Sequence, residues 1–94
     1  MPKKALIIIA ARTESVEIIA PVDTLRRMGV EVTIASVYGR EPVSLCERIS
    51  IVPDIALSEV IDKDAYDVVI VPGWLGYRDL ASSQLVGEIV RNQY

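Results

Sequence analysis

Few side chains in this sequence could do chemistry. Glu17 is a carboxylate placed shortly after an apolar segment, and Glu14 precedes it. A single thiol stands at Cys46, and Gly73-Trp74-Leu75-Gly76 follows another apolar run. Glu17 is the most informative of these. A proline inside a helix clashes with the carbonyl of residue i−4 and leaves it unpaired. Pro21 puts Glu17 in that position. A local irregularity is therefore expected there, and helix irregularities often mark functional sites. The plainer reading is a solvated acid in the first turn of a helix, which is the commoner case for residues of this kind. Gly73 could aim backbone N–H groups at a developing oxyanion, or simply end a strand. Trp74 could wall a pocket or sit half-buried in a loop. Cys46 has no histidine partner and only Arg48 nearby to depress its pKa. It reads as a structural or oxidisable thiol and not as a nucleophile.

What is missing narrows the field. The sequence holds one cysteine and no histidine, so neither a Ser-His-Asp nor a Cys-His site can form within it. A zinc site would need carboxylates almost alone, and no metal is expected. No intrachain disulfide is possible, and a reducing, cytoplasmic setting is expected. Thirteen acids against ten bases give a formal charge of −3, with no basic footprint for nucleic acid. No block of like charge suggests a membrane surface. The first strand-to-helix turn carries neither G-x-G-x-x-G nor a P-loop, so nothing there lets backbone approach a phosphate. No acidic pair of the response-regulator kind follows the first strand either.

The elements that must position these residues follow from the apolar pattern. Residues 5–11 are a continuous apolar run, too short to span a bilayer and suited to a strand buried on both faces. Two lysines precede it, but Arg12-Thr13-Glu14 follows at once with no signal-peptide cleavage site. Thr13 is the expected N-cap of a helix from Glu14 to about Met28, stopped by Gly29. Ile18, Val22, Leu25 and Gly29 form its sheet-facing stripe. Asp23 is placed to pair with Arg26 or Arg27 on its solvated side.

Residues 30–37 form a second strand and residues 38–42 a turn. Residues 43–52 hold one or two short strands, and a helix or helical turn spans 56–61. Residues 67–71 make a third buried strand, and a last helix runs from about Leu80 to the end. Its apolar face is Leu85, Val86, Ile89 and Val90. The order is that of an open parallel sheet with helices on both faces, in which ligands bind beyond the C-terminal ends of the strands. The loops 11–14 and 72–76 occupy that place, which makes Glu14 and Trp74 candidate pocket residues. Hydrophobic residues make up 51% of the chain, more than 94 residues comfortably bury, so a larger core than this chain can close is expected.

The pieces together resemble the DJ-1/PfpI family over essentially the whole chain. The resemblance rests on Lys4 to Ala10, Glu14-x-x-Glu17, and Pro21-Val22-Asp23-x-Leu25-Arg26-Arg27-x-Gly29. It continues through Val32 to Ala35, Gly39-x-x-Pro42-Val43, Pro53-Asp54, and Tyr66 to Gly73. It implies a flavodoxin-like α/β fold, of which residues 1–94 are the N-terminal portion of a single domain. It also implies a homodimer and a cofactor-free site. In that site Glu17, largely protonated, partners an elbow cysteine beyond residue 94, and Gly73 donates to the oxyanion. A neutral acid that donates to a thiolate depresses the thiol pKa. The family's activities would make the parent a glyoxalase or protein deglycase acting on 2-oxoaldehydes or their adducts.

Two alternatives stand beside this. One is a non-enzymatic redox sensor or chaperone-like protein. The other is a fragment that folds only with a complementary C-terminal half. The chain departs from the family pattern at three places. The Gly73-Trp74-Leu75-Gly76 loop is one residue shorter, with a bulky Trp near the expected second glycine. Ser15 replaces an acid. Cys46 stands one position from the family's peripheral cysteine, and a one-residue shift in a strand turns a side chain to the other face.

Overall fold

The computed structural model describes residues 3–60 and 65–72. The first apolar run becomes β1 (Lys4–Ile9), and it is the centre of the sheet. It pairs in parallel with β2 (Glu31–Ser36) on one side and with β6 (Val68–Ile70) on the other. β5 (Ile55–Ala56) adds to the outer edge of β2, giving the order β5-β2-β1-β6. Residues 5–10 are fully buried. Leu6, Ile8 and Ala10 pack on one face with Ala35, Leu57 and Val69. Ile7 and Ile9 pack on the other with Ile18, Val22, Ile34, Val43 and Leu45. A strand with helix or loop on both faces must be apolar at every position, which is why its run does not alternate.

One face is covered by α1 (Ser15–Arg27) and by a small antiparallel hairpin of β3 (Val43–Ser44) and β4 (Ser50–Ile51). The opposite face is covered by a short 3₁₀ turn, Leu57–Glu59, with Ile55, Val60 and Tyr66 packed beside it. Only α1 is an α-helix among the described residues, and the helix expected from Leu80 onward lies outside them. α1 ends as expected at Gly29, whose φ of 83° lies in the left-handed region that costs glycine little. The Val30 N–H donates to the Leu25 carbonyl and the Gly29 N–H to the Arg26 carbonyl, the paired bonds of a Schellman cap. Ile18 and Val22 are buried against the sheet as the stripe required, Leu25 is half-buried, and Gly29 is exposed. Asp23 pairs with Arg27 at 2.9 Å, while Arg26 reaches the Val32 carbonyl and lies 3.9 Å from Asp54.

Three expectations need correction. Thr13 does not cap α1. Its buried hydroxyl donates back to the Ala10 carbonyl at 2.9 Å, a local bond open to any Ser or Thr, and Glu14 is the N-cap residue instead. The helix continues through Pro21 without interruption. Strand β5 was not expected. It is two residues long, and its place is set by the neighbouring β2 and not by its own pattern.

The 3₁₀ turn is tied to the β2–β3 connection by Arg40. Its guanidinium grips Glu59 with two bonds of 2.7 Å, and Glu59 also accepts from the Ala56 N–H at 3.0 Å. The Arg40 bond, more than the Ala56 bond, holds the Glu59 carboxyl down to about 2. A carboxyl depressed in the folded state adds stability above its unfolded value, about 4.3, and loses it as pH falls toward the folded value. Glu59→Gln is therefore expected to flatten the loss of stability between about pH 4.5 and 2. Urea midpoints measured across that range check it, and parallel curves for the two proteins would refute it.

Candidate functional site at the end of β1

The chain leaves the C-terminal end of β1 through a tight turn. Arg12 adopts φ 65° there, a conformation that costs a residue with a Cβ. Both of its backbone groups are held by the hairpin. Its N–H donates to the Ser44 carbonyl at 2.9 Å, and its carbonyl accepts from the Cys46 thiol at 2.8 Å. The Cys46 N–H in turn donates to the Thr13 carbonyl at 3.2 Å. The loop that leads through Glu14 into the helix turn bearing Glu17 is thus laced to a hairpin more than thirty residues further along the chain.

Glu14 is half-buried at the start of α1, and Glu17 is exposed in its first turn with its N–H bonded to the Glu14 carbonyl. The structure brings Glu14, Glu17 and Cys46 together, since both carboxylates act on the thiol. Desolvation is the largest influence, then the charges of Glu47 and Glu14. Arg12 opposes them, and Glu17 adds a smaller push. The net effect raises the Cys46 thiol above its ordinary value, opposite to what a nucleophile needs. Cys46 lies in the hairpin turn and not in a strand, so the argument from strand faces does not apply to it. The rate of Cys46 alkylation by iodoacetamide is expected to rise with pH to a midpoint above that of a free cysteine. A midpoint at or below that value would overturn the reading.

Two residues of this site were not legible in advance. Glu47 accepts from the Ser15 N–H at 3.1 Å, so the hairpin supplies the helix with the acid that Ser15 does not. That N–H, helped by the Ser15 hydroxyl, holds the Glu47 carboxyl below the usual carboxylate range. Tyr38 places its hydroxyl 3.0 Å from the Ala11 N–H, and its own N–H donates to the buried Ser36 hydroxyl. These partners are 32 and 27 residues apart, so no local spacing signals them. Gly73 and Trp74 lie outside the described residues. Among the described residues no group of three or more His, Cys, Asp or Glu could hold a metal ion. A groove of about 630 Å³ runs between α1 and β4, floored by Ile18, Val22, Ile34 and Ile51. None of the acids at the end of β1 lines it.

A parallel sheet ordered β5-β2-β1-β6, with a helix on one face and an acid-bearing loop at the strand ends, defines a flavodoxin-like α/β protein. Comparison with known proteins goes further. The family model for the DJ-1/PfpI family matches residues 3–94, and the chain belongs to that family. It is 42% identical over 94 residues to Protein dj-1beta of Drosophila melanogaster, covering 99% of this chain and 50% of that protein. The crystal structure of that protein superposes with a TM-score of 0.92 at 41% identity, again over 99% of this chain and 50% of the other. The Parkinson disease protein 7 homolog of Danio rerio is 40% identical over 92 residues, which is 97% of this chain and 49% of that protein. Glutathione-independent glyoxalase DJR-1.2 of Caenorhabditis elegans is 37% identical over 92 residues, 97% of this chain and 48% of its own length. The chain therefore spans about half the length of these relatives. Among the described residues no helix is long and apolar enough to cross a membrane.

Proposed function

We propose that the protein carrying this chain is a stress-response enzyme, a cofactor-free glyoxalase or protein deglycase that acts on 2-oxoaldehydes or their adducts. Glu17 is its acid/base group, partnered by a cysteine beyond residue 94. Gly73 donates to the oxyanion, and Glu14 and Trp74 border the substrate. The observation that carries this reading is the placement of Glu17. It stands in the first turn of α1, past the C-terminal end of β1, where open α/β sheets bind their ligands. The glyoxalase named among the relatives supports the same chemistry. The raised Cys46 thiol weighs against a sensor role for that residue.

A second copy is the proposed partner, in a reducing compartment such as the cytoplasm. Ile19 and Val52 are 50% and 68% exposed at the groove between α1 and β4, beside the charged Asp23, Arg26, Arg27 and Asp54, and such exposed apolar side chains favour burial against another chain. Glutathione-free turnover of methylglyoxal by the intact gene product, lost in Glu17→Gln, tests the enzymatic reading. Absence of turnover in the wild type, or full turnover in the variant, would reject it.

A further inference from the structure

We propose that Glu47, at the tip of the β3–β4 hairpin, is a positioning residue for Glu17. It sets where α1 begins and therefore where both acids stand. The proposal rests on the reading of Glu17 as the acid/base group.

Helix α1 has no cap of its own, because no side chain of its N-cap residue bonds the free N–H groups of the first turn. Glu47 fills that place from across the fold, accepting from the Ser15 N–H at 3.1 Å. The neighbouring backbone bonds run in step with it. Arg12 donates to Ser44, and Cys46 donates to Thr13. The thiol of Cys46 holds the Arg12 carbonyl. A residue kept at φ 65° persists only where its surroundings over-determine it. Here those surroundings are the hairpin.

The Glu17 N–H bonds to the Glu14 carbonyl, so a shift at Ser15 moves the turn that bears both carboxylates. Displacement of a catalytic group by about 1 Å is enough to cost turnover heavily. A carboxylate at a helix N-terminus is also a common stabilising feature. A purely stabilising cap would change melting and leave turnover of the folded protein alone.

The test compares Glu47→Ala with Glu47→Gln in the intact gene product. Gln keeps an oxygen that can accept the Ser15 bond, and Ala does not. Exchange of the Ser15 amide is expected to quicken about fivefold in Glu47→Ala, the scale of a lost helix cap. The kcat for methylglyoxal is expected to fall about tenfold with little change in KM. Glu47→Gln is expected to restore both toward wild type. If Glu47→Ala does not fold, Glu47→Asp replaces it, since the shorter side chain cannot reach Ser15 from the same backbone. Unchanged kcat in the folded variant, or equal loss in Ala and Gln variants, would overturn the proposal. Failure of the underlying reading looks different. In that case Glu17→Gln keeps its activity or the wild type has none, while Ser15 exchange still separates Ala from Gln.

Discussion

Glu17→Gln is expected to lower kcat/KM for methylglyoxal by about a hundredfold or more, the range spanned by a general acid/base group. Conversion of a 2-oxoaldehyde to a hydroxy acid adds water, oxidises the aldehyde carbon and reduces the neighbouring ketone. After a thiolate has added to the aldehyde, a proton must leave that carbon and another must reach its neighbour. One carboxyl group can do both, because it is able to hold a proton and to give it up. An amide of the same shape can donate a hydrogen bond to a thiolate but cannot take the proton. Glu17 is exposed just past the end of β1, and among the described residues no hydrogen bond or ion pair holds its carboxylate, so the substitution removes no structural contact among them. Its melting curve should therefore match wild type while its turnover collapses. Loss of both together would mean that Glu17 is structural. Glu14→Gln is the control. Glu14 is half-buried as the N-cap residue and is assigned to border the substrate, so its effect should fall mainly on KM.

The parts of this fold that were legible are those encoded by their own residues. A continuous apolar run from Ala5 to Ala10 can be satisfied only by burial on both faces, and the structure buries all of it. Gly29 ends α1 because left-handed backbone costs glycine little. Prolines at 42 and 53 bound the segment that becomes the β3–β4 hairpin. The family's opening motif placed Glu17 on the first helix. The misreadings share a different cause. Thr13 looked like a cap because its type favours caps, yet its hydroxyl had a nearer carbonyl at Ala10. The actual acceptor for the helix start, Glu47, comes from a separate element. Strand β5 exists because β2 offers Ala35 and Ser36 as parallel partners, information absent from Ile55 and Ala56 themselves. Local chemistry predicts elements well. The contacts that join elements depend on which of them meet.

Ile8→Ala should remove a large share of the domain's stability, at a cost of about 2–5 kcal/mol from lost burial and the cavity left behind. Folded domains have a total stability of only about 5–15 kcal/mol. Ile8 is fully buried in the middle of β1, and it packs in the cluster of Leu6, Ala10, Ala35, Leu57 and Val69. Its strand bonds to β2 and β6 at once, so it cannot shift to fill a void without disturbing both ladders. Close packing leaves little else to relax. Met28 provides the comparison. It is 71% exposed, and its replacement by Ala should move stability by no more than about 0.5 kcal/mol. Urea midpoints with unchanged slopes would measure both. Equal and small shifts would mean that β1 is not the centre of the core. The consequence reaches the site as well. The loop that bears Arg12 and Glu14 and leads into the first turn of α1 with Glu17 hangs from the end of β1, and the Ile9 carbonyl is held by the Val37 N–H at 3.1 Å. A strand loosened at Ile8 would release the base on which the acids are aimed, so turnover in Ile8→Ala should fall even at temperatures where most molecules remain folded.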